Sequence, residues 1–388
     1  MNTGDDPDDL SAWLRLALAP GLGPERQRHL LSAFGLPGAI FAQSRSALNA
    51  VVGGEAADAL LATPDKAAIE TALAWHDEAG NRILTLADAD YPPALLQSAD
   101  PPILLYIKGD AALLRTPALA MVGARSATAQ GEANAEAFAR SLSEAGLTIV
   151  SGLAQGIDAA AHRGALAAGS GSTVAFIGTG ADRIYPAANA ALAREIAAHG
   201  VIVSEFALGT PPLRHNFPRR NRLIAGLSHG VLVVEAALGS GSLITARLAT
   251  EIGREVFAIP GSIHSPLARG CHRLIREGAK LVETAEDVLE ELRNRVEGLP
   301  APALRKTRGR SSGRTQRALP VASTDVGTIS PEAATVLEIL GEDCVDIDTL
   351  ALRSGLTVDA LYAILLPMEL DGSIARAAGN RFQRLRRP

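Results

Sequence analysis

Apolar residues recur along this chain in three patterns, and the changes between them divide it. From residue 10 to 75 they fall in short helical stretches broken by glycine and proline, beginning with "LRLALAPGLGPERQRHLLSAFG". From about 80 to 292 they come as short unbroken runs separated by alanine-rich periodic segments such as "EANAEAFARSLSEAG". Seven runs read as strands: "ILTLA" (83–87), "ALAMVG" (118–123), "LTIVSG" (147–152), "STVAFIG" (172–178), "GVIVSE" (200–205), "GVLVVEA" (230–236) and "EVFAIPG" (255–261). Continuous apolar strands alternating with helices predict an α/β domain on a doubly wound parallel sheet.

The periodicity is lost over 293–330, where "LPAPALRKTRGRSSGRTQRALP" is rich in Pro, Gly and Ser. Six cations, Arg305, Lys306, Arg308, Arg310, Arg314 and Arg317, stand there without an acid, as in a solvated linker or one that adds general attraction to nucleic acid. A third pattern follows over 331–388: three helical segments and a short hairpin, the order of a winged helix. Within it "LRSGLTVDAL" carries the glycine and capping threonine of a helix-turn-helix. Its third helix has almost no basic side chains, which favours protein contact or a structural role over reading a DNA sequence. The expected division is a helical domain over 1–78, a sheet domain over 79–295, a basic linker over 296–328 and a winged helix over 329–388.

Composition narrows what these domains can do. The 388 residues carry a formal charge of −5, so a polyanion would have to be met by a local patch. Aromatics are only 4% of the chain, so each one placed among polar residues is informative. No apolar run reaches the roughly 18 residues of a membrane span, and the acidic start "MNTGDDPDDLSAW" is unlike a signal peptide, so a cytoplasmic protein is expected. Cys271 and Cys344 lie far apart with no zinc-type spacing and read as free thiols.

Candidate chemistry gathers at the carboxyl ends of the predicted strands, where ligands of open parallel sheets bind. "MVGARSAT" offers Gly123, Arg125 and Ser126 after one strand, and "IVSGLAQGIDAAAH" offers Ser151, Gly152 and Gly156 after the next. Two such loops side by side would form a cradle of amides for phosphate, although ordinary strand-to-helix turns look the same. Neither is a Walker A or GxGxxG sequence, so no nucleotide cofactor is expected. Asp158 and His162 share a helix face, but no third metal ligand stands at a suitable spacing, and no metal is expected.

The stretch "RHNFPRRNRLIAGLS" (214–228) sets Arg214, Arg219, Arg220 and Arg222 around Phe217, with Asn221 beside them. In a loop at that sheet edge, arginines would clamp phosphates and the ring would stack on a base, a pairing suited to a single strand. The opposing reading makes Phe217 a core residue and pairs the arginines with acids. In the N-terminal segment Gly21 and Gly23 before Pro24 resemble a helix-hairpin-helix turn, which would either meet a phosphate or simply pack helices.

Seven blocks in order, "YPPALLQSADPPILLYIKGD", "MVGARSAT", "IVSGLAQGIDAAAH", "TVAFIGTGADRIYPAAN", "SEFALGTPPLRHNFPRRNRLIAGLS", "VVEAALGSGSLITARLATEIGREVFAIPG" and "GCHRLIREGAKLV", resemble the DNA-processing protein A (DprA/Smf) family. The resemblance implies a Rossmann-like sheet domain flanked by a small N-terminal helical domain of the SAM or helix-hairpin-helix type and a C-terminal winged helix. It implies a protein of natural transformation that binds single-stranded DNA, protects it, helps load a RecA-type recombinase and dimerises through the Rossmann-like domain. The family's contacts fall on Arg125, on the glycines and serine of 151–156, and on Arg214 with Phe217. Arg214 stands where the family often has lysine, which keeps charge but changes hydrogen-bond geometry.

Two other classes compete. Related Rossmann-like folds process nucleotides with a PGGxGTxxE loop, and the corresponding "VEAALGSGSLITA" lacks that arrangement. A transcription regulator would read DNA with the winged helix, against which its third helix argues.

Overall fold

The computed structural model describes residues 7–169, 173–293, 295–296, 331–340, 345–377 and 381–385. Most of the predicted basic linker and Cys344 lie outside the described residues. The rest forms two compact units, one holding the N-terminal helices with a large sheet, the other the C-terminal helices with a small one.

The large sheet has nine strands: β1 (Asn81–Thr85), β2 (Leu104–Gly109), β3 (Ala118–Val122), β4 (Thr148–Ser151), β5 (Thr173–Phe176), β6 (Val201–Ser204), β7 (Gly230–Val233), β8 (Glu255–Ala258) and β9 (Lys280–Leu281). Their spatial order is β1-β2-β6-β5-β4-β3-β7-β8-β9. From β6 to β9 all neighbours are parallel, as the unbroken apolar runs predict. The departure is at one edge, where β2, which the sequence reading did not include, pairs antiparallel with both β1 and β6. The reversal in strand order beside β3 puts the carboxyl ends of β3, β4 and β7 around one crevice, the expected place for a ligand.

Six helices precede the sheet: α1 (Pro7–Ala17), α2 (Pro24–Phe34), α3 (Pro37–Phe41), α4 (Arg45–Val52), α5 (Gly54–Leu61) and α6 (Lys66–His76). Their apolar faces do not close on themselves. Trp13, Leu14, Leu30, Leu48 and Trp75 share one core with Ile83, Leu104 and Tyr106 of β1 and β2, so this helical segment belongs to the same unit as the sheet. Gln27 fastens the glycine turn before α2, its side-chain amide donating to the carbonyls of Leu16, Ala17 and Leu22.

Around the sheet run α7 (Pro93–Leu96), α8 (Ala129–Glu144), α9 (Ile157–Ala167), α10 (Ala190–His199), α11 (Asn216–Leu227), α12 (Ser242–Glu251), α13 (Arg269–Arg276) and α14 (Ala285–Leu292). The segment read from sequence as a loop around Phe217 is instead the first turn of α11. Pro218 is compatible with that place because a first-turn N–H has no partner inside the helix.

The second unit consists of α15 (Pro331–Leu340), β10 (Val345–Asp346), α16 (Ile347–Ser354), α17 (Val358–Leu370), β11 (Ile374–Ala377) and β12 (Arg381–Arg384). Gly355 ends α16 in the left-handed conformation at φ 71°, and the Thr357 hydroxyl caps α17 by accepting from Ala360 N, the turn predicted from "SGLT". The sequence of α17 contains no Lys or Arg. Among the described residues no single helix is long and apolar enough to cross a membrane.

Candidate nucleic-acid interface

A cleft of about 750 Å³ opens at the carboxyl edge of the parallel strands. Of the twelve residues singled out from sequence, Gly123, Arg125, Arg214, Phe217, Arg220 and Asn221 line it. The Phe217 ring is half-buried against Gly178 and is met by the Tyr185 ring at 5.6 Å between centroids. The Arg125 guanidinium lies 5.7 Å from the same ring. Asn216, buried, starts α11 by donating its side-chain amide to Gly178 O at 3.0 Å, which fixes where Phe217 projects. Arg125 and Arg214 are exposed, and neither pairs with a carboxylate among the described residues.

The other arginines do different work. Arg219 donates to Glu205 at 3.2 Å and packs its guanidinium on Phe206, away from the cleft. Arg222 pairs with the same Glu205 and donates to the Asp100 carbonyl at 2.5 Å, while Arg28 of α2 pairs with the Asp100 carboxylate. This chain of charges clamps α11 to the end of β6 and to the N-terminal helices. Here the acid-pairing reading describes Arg219 and Arg222 better than the phosphate clamp does.

Arg220 is 4% exposed and donates from Nη1 to Phe176 O at 2.6 Å. Burial lowers its pKa to about 10, opposed by the charge of Asp158, so it stays a cation at neutral pH. Its guanidinium lies directly over Gly152, where a Cβ would overlap it. That packing, more than phosphate access, explains the glycine. Gly156, at φ 72°, likewise lets the second loop press on the carbonyls of Ala124 and Arg125 in the first.

Ser151 is buried and donates to Met121 O at 2.6 Å. Ser151, Gly152 and Gly156 therefore set the shape of the loops and do not line the cleft, and Ser126 is exposed outside it. The open amide cradle expected from the sequence is partly occupied from within. Asp158 Oδ2 accepts from Gly152 N at 3.1 Å and from Ala154 N at 3.4 Å, while Asn189 donates to the carbonyls of Leu153 and Ala154. Between these ties Leu153 is held at φ 58°, a strained value for a residue with a side chain.

Asp158 and His162 do not act on one another. His162 is fully buried and shares a hydrogen bond with Thr173 Oγ1 at 2.7 Å. Burial, helped by the charge of Arg220, pushes its imidazole down to about 3. The unfolded chain takes up a proton near pH 6.5 that the folded chain refuses, so this contribution is complete above about 6.5 and is lost as pH falls toward about 3. Between pH 7 and 5 it should remove about 2 kcal/mol of stability. Urea unfolding at the two pH values measures this, and His162→Gln should flatten the dependence.

Several lining residues were not singled out from sequence: Tyr185, Thr245 and the run Ser240, Gly241 and Ser242 before α12; Asp158, weighed there only as a partner of His162, lines the cleft as well. The "GSGS" run carried a usable signal, since it follows the predicted strand "GVLVVEA" and precedes a helix. Cys271 is buried, with its thiol pushed up to about 12 by burial, consistent with an unreactive thiol.

Residues 82–293 match the family model described as DNA recombination-mediator protein A, and residues 317–380 match a DprA winged helix domain. Protein Smf of Escherichia coli is 42% identical over 85% of this chain and 84% of its own length. The DNA processing protein DprA of Streptococcus pneumoniae is 51% identical over 53% of this chain and 73% of its own. The crystal structure of the S. pneumoniae protein superposes with a TM-score of 0.65, at 38% identity, covering 72% of this chain and 97% of that one. A Helicobacter pylori DNA processing protein A structure, described for its single-stranded DNA binding mode, gives a TM-score of 0.50 at 33% identity, covering 55% of this chain and 95% of that one. With fold, motifs and relatives in agreement over most of its length, the chain belongs to the DNA recombination-mediator protein A (DprA/Smf) family.

Proposed function

We propose that this protein binds single-stranded DNA in the cleft beside Phe217 and acts as a recombination mediator in DNA uptake, by binding and without breaking a bond. The observation that carries this is the Phe217 ring at the cleft wall, flanked by Tyr185 and by the unpaired Arg125 and Arg214. Aromatic faces stack any base, and unpaired guanidiniums meet the phosphates on either side. A duplex, whose bases already stack on one another, cannot use the ring in this way. Arg220 holds the loops in shape from beneath, and its charge adds to the potential of the cleft.

The nucleotide-processing alternative needs a carboxylate free to act on a substrate. Asp158, the carboxylate lining the cleft, already accepts two amide hydrogen bonds and offsets Arg220. Family membership extends the proposal to a homodimer that protects the strand in the cytoplasm and passes it to a RecA-type recombinase. In this account the winged helix contacts protein, since α17 has no cation with which to hold a DNA backbone.

The test is fluorescence anisotropy of labelled oligo-dT and a matched duplex across a salt series, with AMP as competitor. The single strand should bind more tightly, and log affinity should fall linearly with log salt, with a slope of about −0.7 per phosphate neutralised. Equal affinity for the duplex, or displacement by low AMP, would remove the basis of this reading.

A further inference from the structure

Helix α11 carries the Phe217 ring on one side and Arg222 on another, about 140° around its axis. Its inner side is held by Asn216, which donates to Gly178 O, and by Arg220, which donates to Phe176 O. The outer side is held by charge. Asp100, between α7 and β2, accepts from Arg222 at its carbonyl and pairs its carboxylate with two guanidiniums, that of Arg222 at 3.2 Å and that of Arg28 on α2. Among the described residues, Arg28 with Asp100 is the ion pair that joins the N-terminal helices to the rest of the sheet unit. The Arg28 and Arg222 side chains are 19% and 17% exposed, so salt screens this bridge less than it would a surface pair.

Two carboxylates here, Asp100 and Glu205, face three guanidiniums, Arg28, Arg219 and Arg222. With a neutral side chain in place of Asp100, Arg28 and Arg222 would confront each other with no anion between them, pushing α2 and α11 apart. We infer that Asp100 is a positioning residue for strand binding: it makes the N-terminal helices a brace that sets α11, and with it Phe217, at the cleft wall. This rests on the proposal that the cleft binds single-stranded DNA. Asp100 does not line the cleft, so its effect passes through the helix. The N-terminal helices thereby take a part in binding that needs no phosphate at the Gly21–Gly23 turn, where the first turn of α2 carries the acidic Glu25.

The sign of one substitution separates positioning from simple electrostatics. Asp100→Asn removes a negative charge, so charge alone would tighten the binding of a polyanion. Positioning gives the reverse: anisotropy of the full chain with oligo-dT should show a loss of about three- to tenfold, with the salt slope of wild type. In a Phe217→Ala background the same substitution should change affinity by less than about twofold, because the ring it places is gone. Circular dichroism checks that each variant is folded. If Asp100→Asn is not, Arg28→Gln cuts the same bridge from α2 and should show the same loss, the same unchanged slope and the same dependence on Phe217. Unchanged or tighter binding by the folded variant, or a full loss that persists in Phe217→Ala, would overturn the inference and leave the cleft reading in place. If wild type binds no single strand at all, the cleft reading fails and this inference falls with it.

Discussion

Arg220→Ala should lower the unfolding free energy of the sheet unit by about 3 kcal/mol or more, because removing one of two facing buried charges strands the other. The carboxylate left behind is that of Asp158, 8% exposed, whose pKa burial already raises against the opposing pull of Arg220 and two amides. The substitution also removes the donor to Phe176 O and empties the space over Gly152. Urea unfolding followed by circular dichroism measures the loss. Arg220→Met combined with Asp158→Asn should recover a good part of it, since no charge then lacks its counterpart. Gly152→Ala should be destabilising by about 1 to 3 kcal/mol for the complementary reason, since its methyl would need the room the guanidinium occupies. A fully stable Arg220→Ala protein would mean that the pair does not hold the loops.

The second large effect falls on binding. Phe217→Ala should cost about 1 to 3 kcal/mol of single-strand affinity, the usual worth of a stacked base, without changing the salt slope. Arg125→Ala should cost about 1.5 to 3 kcal/mol and flatten the slope by roughly one, because a phosphate contact is lost with its released counterion. The guanidinium lies 5.7 Å from the ring, so the double variant should not equal the sum of the singles. Anisotropy on one oligo-dT length across salt gives all four corners of this cycle. If Phe217→Ala stays within about twofold of wild type, well short of a stacked base, the ring is a wall of the cleft and nothing more.

Much of the sheet was legible because buried parallel strands are short, apolar and flanked by glycine, and β3 to β8 follow that pattern with only their ends shifted. Strand β2 was missed because "PPILLYIKGD" follows two prolines and returns antiparallel, outside the alternation that marks the rest. The cluster around Phe217 was legible as a site but not as a helix, since its polar face and Pro218 imitate a loop. Nor could the sequence distribute its arginines. Glu205, which engages Arg219 and Arg222, lies on the far side of a loop some 14 and 17 residues earlier, and only the fold brings it under them. Glycines showed the same limit: Gly152 and Gly156 marked the right loops, yet the structure uses them for close approach of protein to protein.

The core that joins the N-terminal helices to β1 and β2 also decides what light can report about this molecule. Both tryptophans of the chain, Trp13 and Trp75, lie in that core, at 2% and 7% exposure, and Trp75 stands edge-on to Tyr106 at 5.7 Å. Neither lines the cleft. Ultraviolet emission at the tryptophan band is therefore a gauge of whether the helices remain seated on the sheet, red-shifting when they detach and staying dark to a strand arriving at Phe217.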